Sequence, residues 1–151
     1  MSRVSVDSSV LIYAALEPQS EKGRRAHDTI ARAALHGVLA NQALLEFVAV
    51  VRRRAPELTG NAIAQVDAWS KTFETAPTSA RVVADALALV QQHQFQVWDA
   101  VIWSAARYAG ASVLFSEDLQ NGFTRDGMRA VNPFLLDEAQ IQSIFETGVP
   151  P

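Results

Sequence analysis

The sequence predicts an α/β domain whose mostly parallel sheet is covered by helices on both faces. Three observations carry that expectation. Short apolar segments suited to strands alternate with longer stretches of helical periodicity, the pattern of parallel sheets joined by crossover helices. No internal repeat, charge block or Ser/Gly linker divides the 151 residues. Acidic and hydroxyl residues recur where strands end, and ligands bind at that edge in such folds.

Arg3–Val6 opens as a short strand, broken by Asp7-Ser8-Ser9, after which residues 10–16 form the longest early apolar run. A helix is expected over about 21–36, with Ala26, Ile30, Ala34 and Leu35 at helical spacing and Gly37 as a left-handed cap. Residues 38–40 read as a second strand and 42–54 as a helix stopped by Pro56. The helix at 59–73 carries Thr59, Ala62, Ile63, Val66 and Trp69 on or beside its apolar stripe, and a brief extended piece at 74–76 ends at Pro77. Ser79 is placed to cap a helix reaching about residue 92, with Val82, Val83, Ala86, Leu87 and Val90 facing inward. Asp99 begins the most apolar helix, which Gly110 closes; strands follow at 112–115 and 129–131, and a last helix at 137–145.

Composition bounds the function. With 49% hydrophobic and 19% charged residues, 7 Gly and 6 Pro, the chain is neither disordered, collagen-like nor low-complexity. Cysteine is absent, which removes a disulfide scaffold, a thiolate zinc site and a Cys nucleophile. A net charge of −3 offers no basic tail to a polyanion, so any nucleic acid must be held by a local arginine patch or through metal ions. The early apolar run falls far short of the ~20 residues of a membrane span. It also lacks the positive start of a signal peptide. A soluble, cytoplasmic protein is expected.

Four carboxylates stand out. Asp7 directly follows the first strand, and Asp118 follows the 112–115 strand after Ser116 and Glu117. Glu46 lies early in its helix within Ala43-Leu44-Leu45-Glu46-Phe47-Val48, and Asp99 begins Asp99-Ala100-Val101-Ile102-Trp103. Each has a structural alternative: a helix cap for Asp99, turn residues for Asp7 and Asp118, a solvated helix face for Glu46. Taken together they favour function, because a parallel sheet can bring all four to one edge. There they would repel one another and raise each other's pKa. A divalent cation relieves this, and oxygen-only ligands suit Mg²⁺ or Mn²⁺ rather than Zn²⁺. His27, His36 and His93 show no short metal-ligand spacing. Ser8, Ser9 and Ser116 are candidates to orient the acids, or simple turn residues.

The segments Val4-Ser5-Val6-Asp7-Ser8-Ser9-Val10-Leu11-Ile12-Tyr13, Leu44-Leu45-Glu46-Phe47, Phe95-Gln96-Val97-Trp98-Asp99-Ala100 and Leu114-Phe115-Ser116-Glu117-Asp118-Leu119-Gln120-Asn121-Gly122 resemble the PIN-domain ribonucleases, with the closest likeness to the VapC toxins of bacterial toxin–antitoxin pairs. The resemblance spans about residues 3–134 of a single domain taken as 1–151, leaving a C-terminal helix and tail at 135–151. It implies a three-layer α/β/α sandwich with a mostly parallel central sheet, and metal-dependent hydrolysis of RNA phosphodiesters with Mg²⁺ or Mn²⁺. Its acidic positions map onto Asp7, Glu46, Asp99 and Asp118, with Asp7 and Asp99 first in line as direct ligands. It further implies a homodimer and a small VapB-like antitoxin whose peptide fills the active-site groove. Many members carry Asn or Thr after the first Asp, where this chain has Ser8.

An acidic site needs a positive rim for RNA. Arg24, Arg25, Arg52, Arg53 and Arg54 are the candidates, with Arg125 and Arg129 near the last site loop and helix-end roles as the alternative. Trp98 is expected in the core ahead of a buried helix, with stacking on a base as the alternative. Other acid-rich α/β sites match less well. A haloacid-dehalogenase-type phosphatase would need Asp at position 9, a receiver domain a late Lys, and an integrin-type metal site Ser at position 11. The main rival is a regulatory protein of the same fold that binds metal or RNA without turnover; the presence of all four acids argues against it. A flap-type DNA nuclease would need a longer chain for its threading arch.

Overall fold

The chain begins with β1 (Arg3–Val6) and α1 (Ser8–Leu16), then α2 (Glu21–Ala33), β2 (Gly37–Ala40), α3 (Asn41–Arg54), a 3₁₀ turn at Pro56–Leu58, and α4 (Thr59–Thr72). It continues through β3 (Glu74–Ala76), α5 (Ala80–His93), α6 (Val97–Tyr108), β4 (Ala111–Phe115), β5 (Thr124–Arg125) and β6 (Met128–Val131). A second 3₁₀ turn, Pro133–Leu135, leads into α7 (Glu138–Thr147). This computed structural model describes residues 3–147; the expected tail at 148–151 lies outside the described residues.

The six strands form one sheet in the order β3-β2-β1-β4-β6-β5. Every pairing is parallel except β5 with β6, a hairpin at the edge. Helices flank the sheet, as the expected α/β/α sandwich requires. Val6 pairs with Phe115 and Phe115 with Val131, so the central strands end in line. The ladder runs one step further: Asp7 N–H donates to Phe115 O at 2.9 Å, and Ser116 N–H donates to Val131 O at 3.0 Å. The first residue after each of these two strands is therefore held by its neighbour's backbone at the carboxyl edge of the sheet.

β2 is buried along its whole length and β1 from Val4 onward, as expected of parallel strands covered on both faces. The core is anchored by Trp103, Phe47, Phe115, Leu11 and Ile102, all within 2% of complete burial. Local chemistry sets several boundaries. Ser20 Oγ accepts from Gly23 N–H to start α2, and Ser79 Oγ accepts from Val82 N–H to start α5, the cap foreseen from sequence. Gly110, at φ +90°, ends α6 in the left-handed conformation that glycine tolerates without strain.

Several expectations are corrected. Residues 8–16 form a helix that periodicity did not reveal, because α1 is apolar all round and presents no polar face to set a period. α2 stops at Ala33, and Gly37 is the first residue of β2 rather than a left-handed cap. A Cβ there would lie 2.4 Å from Ala33 O and 2.6 Å from the Phe73 ring, so close packing explains this glycine. On α5 the buried stripe is Val82, Ala86 and Leu89, while Val83 and Leu87 are exposed. α6 begins at Val97, two residues before Asp99. Ile63 and Leu35 are exposed, and Trp98, expected in the core, is 57% exposed.

Candidate active site

Parallel strand ends gather the acids. Asp7 leaves β1 and is the N-cap of α1: its backbone carbonyl accepts from Val10 and Leu11 N–H at 3.1 and 3.3 Å, while its side chain makes no cap bond. The carboxylate is committed elsewhere. Its Oδ2 accepts from Ser9 Oγ at 3.0 Å and from Ser116 Oγ at 2.8 Å. Ser116 Oγ in turn accepts from Asp118 N–H at 3.1 Å, so one hydroxyl couples the β1 acid to the backbone of the β4 loop. Asp99 sits in the first turn of α6, beyond its Gln96 N-cap, and so does not serve as the cap.

Carboxylate oxygens of Asp7, Asp99 and Asp118 all lie within 4.8 Å of one another. Glu46, on the second turn of α3, faces the same groove, and its Oε2 accepts from Ser8 Oγ at 3.0 Å. The electrostatics register the crowding. Burial raises the Asp7 pKa above the ordinary carboxyl value, against the opposing bonds from Ser116 and Ser9. Asp99 is pushed up to about 7, first by desolvation and then by the charges of Asp7, Asp118 and Glu46. Desolvation followed by repulsion also raises Glu46 and Asp118.

A divalent cation fits this donor set. Among the described residues, Asp7 Oδ1 is buried without a hydrogen-bond partner, although Oδ2 of the same carboxylate has two. An orphaned carboxylate oxygen beside two more carboxylates is costly unless positive charge sits there. The donors are all oxygen, the chemistry preferred by Mg²⁺ and Mn²⁺.

The groove at this edge encloses about 1110 Å³ and is lined by Ser8, Glu46, Asp99 and Asp118 together with Arg53, Trp98 and several glutamines. Of the five arginines expected on the rim, Arg53 alone lines it. Arg52 and Arg54 are exposed at the end of the same helix. Arg24 donates to Gln19 O, and Arg25 donates to Leu136 O, tying α2 to its neighbours away from the groove. Arg125 is engaged too: with Arg107 it pairs with Asp85, at 3.1 and 3.4 Å respectively. His93 ends α5 and packs edge-on against Phe123, in keeping with a helix-end role.

Sequence reasoning missed the support behind Asp118. Glu117 accepts from Tyr13 Oη at 2.8 Å and forms a 2.8 Å ion pair with Lys22, whose ammonium also lies over the Tyr13 and Phe134 rings. Glu117 N–H donates to Ser9 Oγ at 3.2 Å. Glu117 is thus held by α1 and α2, while its neighbour Asp118 faces the groove. The only available signal was the adjacency of two acids, which does not say which one turns inward.

The PIN domain family profile matches residues 4–125. Among solved structures, the chain is similar to VapC20 of Mycobacterium tuberculosis, described as a Sarcin-Ricin loop cleaving toxin, with 18% identity and a TM-score of 0.63 over 76% of this chain and 91% of that one. It is also similar to a toxin–antitoxin complex from Klebsiella pneumoniae, with 16% identity and a TM-score of 0.65 over 86% and 97% of the two chains. A DNA-bound VapBC from Salmonella typhimurium gives 12% identity and a TM-score of 0.61, again over 86% and 97%. At these identities the likeness establishes the fold. Among curated proteins, no sequence relative matches.

Proposed function

The chain belongs to the PIN domain family, and on that premise we propose that it is a metal-dependent endoribonuclease acting as the toxin of a toxin–antitoxin pair. The observation that carries this reading is the Asp7–Asp99–Asp118 cluster, in which the buried Asp7 carries an orphaned oxygen while Asp99 and Asp118 line a groove beside Glu46. The whole of 1–151 is read as one such domain.

Asp7, Asp99 and Asp118 would hold Mg²⁺ or Mn²⁺, with Glu46 as a further ligand through water or as a proton acceptor. When bound, the cation supplies Lewis-acid activation of water and neutralises charge on the phosphate oxygens. Ser9 and Ser116 fix the orientation of Asp7, so its Oδ1 is presented without rearrangement. Ser8 holds Glu46 Oε2 and leaves Oε1 to take a proton from the attacking water. Arg53, on the groove wall, would meet a phosphate of the RNA.

The similar solved structures include toxin–antitoxin complexes, which supports a small VapB-like antitoxin as partner; its peptide would fill this groove. A homodimer and a cytoplasmic location belong to the same proposal. Among the described residues, no helix is long and apolar enough to cross a membrane.

The test is incubation of antitoxin-free protein with total cellular RNA and Mg²⁺ or Mn²⁺, beside EDTA and an Asp7→Asn, Asp99→Asn double variant. Defined fragments that vanish with chelation and in the variant are expected. Folded, metal-loaded protein that leaves all RNA intact would favour the non-catalytic regulatory alternative. Co-expression with the neighbouring small open reading frame should relieve toxicity, and light scattering should give a dimer.

A further inference from the structure

Trp98 occupies an unusual position for the largest apolar side chain. It is the second residue of α6, directly before Asp99, and is 57% exposed, whereas the seven residues from Ala100 to Ala106 are all buried. Leaving an indole in water forfeits the stabilisation that burial would bring. The neighbouring rings are all engaged: Phe95, Phe123 and Trp103 pack on one another with centroids 5.1 to 6.1 Å apart. Among the described residues, Trp98 alone of this group makes no ring contact and no indole hydrogen bond, and it lines the same groove as Asp99, Asp118 and Glu46.

The polar wall around it has a particular chemistry. Gln42, Gln94, Gln96 and Gln120 line the groove with His93, against one guanidinium, Arg53. An amide offers both a donor and an acceptor, which suits the edge of a base, whereas a phosphate track would be lined with Lys and Arg. A free aromatic face ringed by amides, beside a carboxylate cluster, matches a nucleotide whose base is unstacked. A base inside a duplex has both faces covered and cannot stack on an indole.

We propose that Trp98 is a base-stacking platform that seats an unpaired nucleotide beside the phosphate to be cut. This rests on the nuclease reading above and adds the residue that holds the base next to the carboxylate cluster.

Binding is tested in the full chain carrying Asp7→Asn, using fluorescence polarisation of a labelled mixed-sequence single-stranded RNA and of a duplex of the same length. Trp98→Ala should weaken single-strand binding about 10-fold or more, Trp98→Phe should stay near the parent, and the weak duplex binding should not respond. In the Asp7-containing protein, Trp98→Ala should raise KM for single-stranded RNA far more than it lowers kcat. If the Ala variant binds and cuts as the parent does, the stacking role falls while the nuclease reading stands. If the parent neither binds nor cuts RNA, the nuclease reading falls and takes this proposal with it. A Trp98→Ala chain that changes its sedimenting mass without RNA would assign the indole to a protein interface and overturn the proposal.

Discussion

Ser116 Oγ donates a 2.8 Å hydrogen bond to Asp7 Oδ2 and joins two strand ends that lie far apart in sequence. The same oxygen accepts from Asp118 N–H at 3.1 Å, so the hydroxyl sets the Asp7 carboxylate and the Asp118 backbone together. Removing it should disturb the proposed cation site without emptying it of carboxylates. Ser116→Ala is expected to weaken Mn²⁺ binding roughly 10-fold, the usual scale for a residue that orients a ligand. Isothermal titration calorimetry reads this directly, and unchanged affinity would show that Asp7 is oriented by Ser9 and the backbone alone.

The raised carboxyl groups predict the pH dependence of the metal-free protein. Asp99 has a pKa of about 7 in the fold against an ordinary value of 3.8, so the native state holds its proton more tightly than the unfolded chain. Its contribution to stability is complete below 3.8 and is lost as pH rises through about 7. The Tm in EDTA should therefore fall across that window, and Asp99→Asn should flatten the fall. Mg²⁺ or Mn²⁺ should restore stability most strongly at the alkaline end, with proton release on binding near neutrality. A Tm that climbs between those pH values in EDTA would contradict the burial and crowding that raise Asp99.

The Lys22–Glu117 pair should be modest in stability and specific in effect. Lys22 is half exposed, and solvent screening leaves such a pair worth little. Lys22→Met is expected to cost correspondingly little in chemical denaturation. It also frees a negative charge next to Asp118, already raised in part by Glu117, and so should push the Asp118 pKa higher still. Adding Glu117→Gln should reverse that rise, as followed by carboxyl NMR titration in metal-free protein.

Asp85 predicts a larger stability effect away from the groove. It accepts from Ser104 Oγ at 2.6 Å and faces both Arg107 and Arg125, joining α5, α6 and the β5–β6 hairpin. Burial pushes its carboxyl up, but the Ser104 bond and the two guanidinium charges outweigh this and hold it below the ordinary value. Asp85→Ala leaves Arg107 and Arg125, both mostly buried, to the half-exposed Asp126 at 3.9 and 3.7 Å, and should cost about 3 kcal/mol by denaturant titration, the low end for broken buried pairs. Arg125→Ala should cost less, because Arg107 still answers Asp85.

Much of the architecture was legible because it is local. Strand ends at Asp7 and Ser116, the Ser79 cap and the Gly110 stop all follow from residue types at short range. α1 was not legible, since a helix apolar on every side has no periodic contrast. Trp98 was misplaced for a related reason: hydrophobicity predicts burial on average, and an aromatic ring kept at a groove mouth breaks that average. Val83 and Leu87 failed likewise, because α5 carries more apolar residues than its buried stripe can hold.

The sequence by itself determined the alternation of strands and helices, and it singled out four acids in positions where a parallel sheet would gather them. Tertiary structure alone decided that Asp99 and Asp118 converge on Asp7, that Arg53 and not Arg24 or Arg25 reaches the groove, and that Glu117 turns away to Lys22. The physical reason is range. Helix and strand preferences are settled by neighbours along the chain, whereas hydrogen bonds and charge pairs depend on which distant segments the sheet order brings together. Sequence patterns show which residues carry chemistry; only packing decides which of their atoms meet.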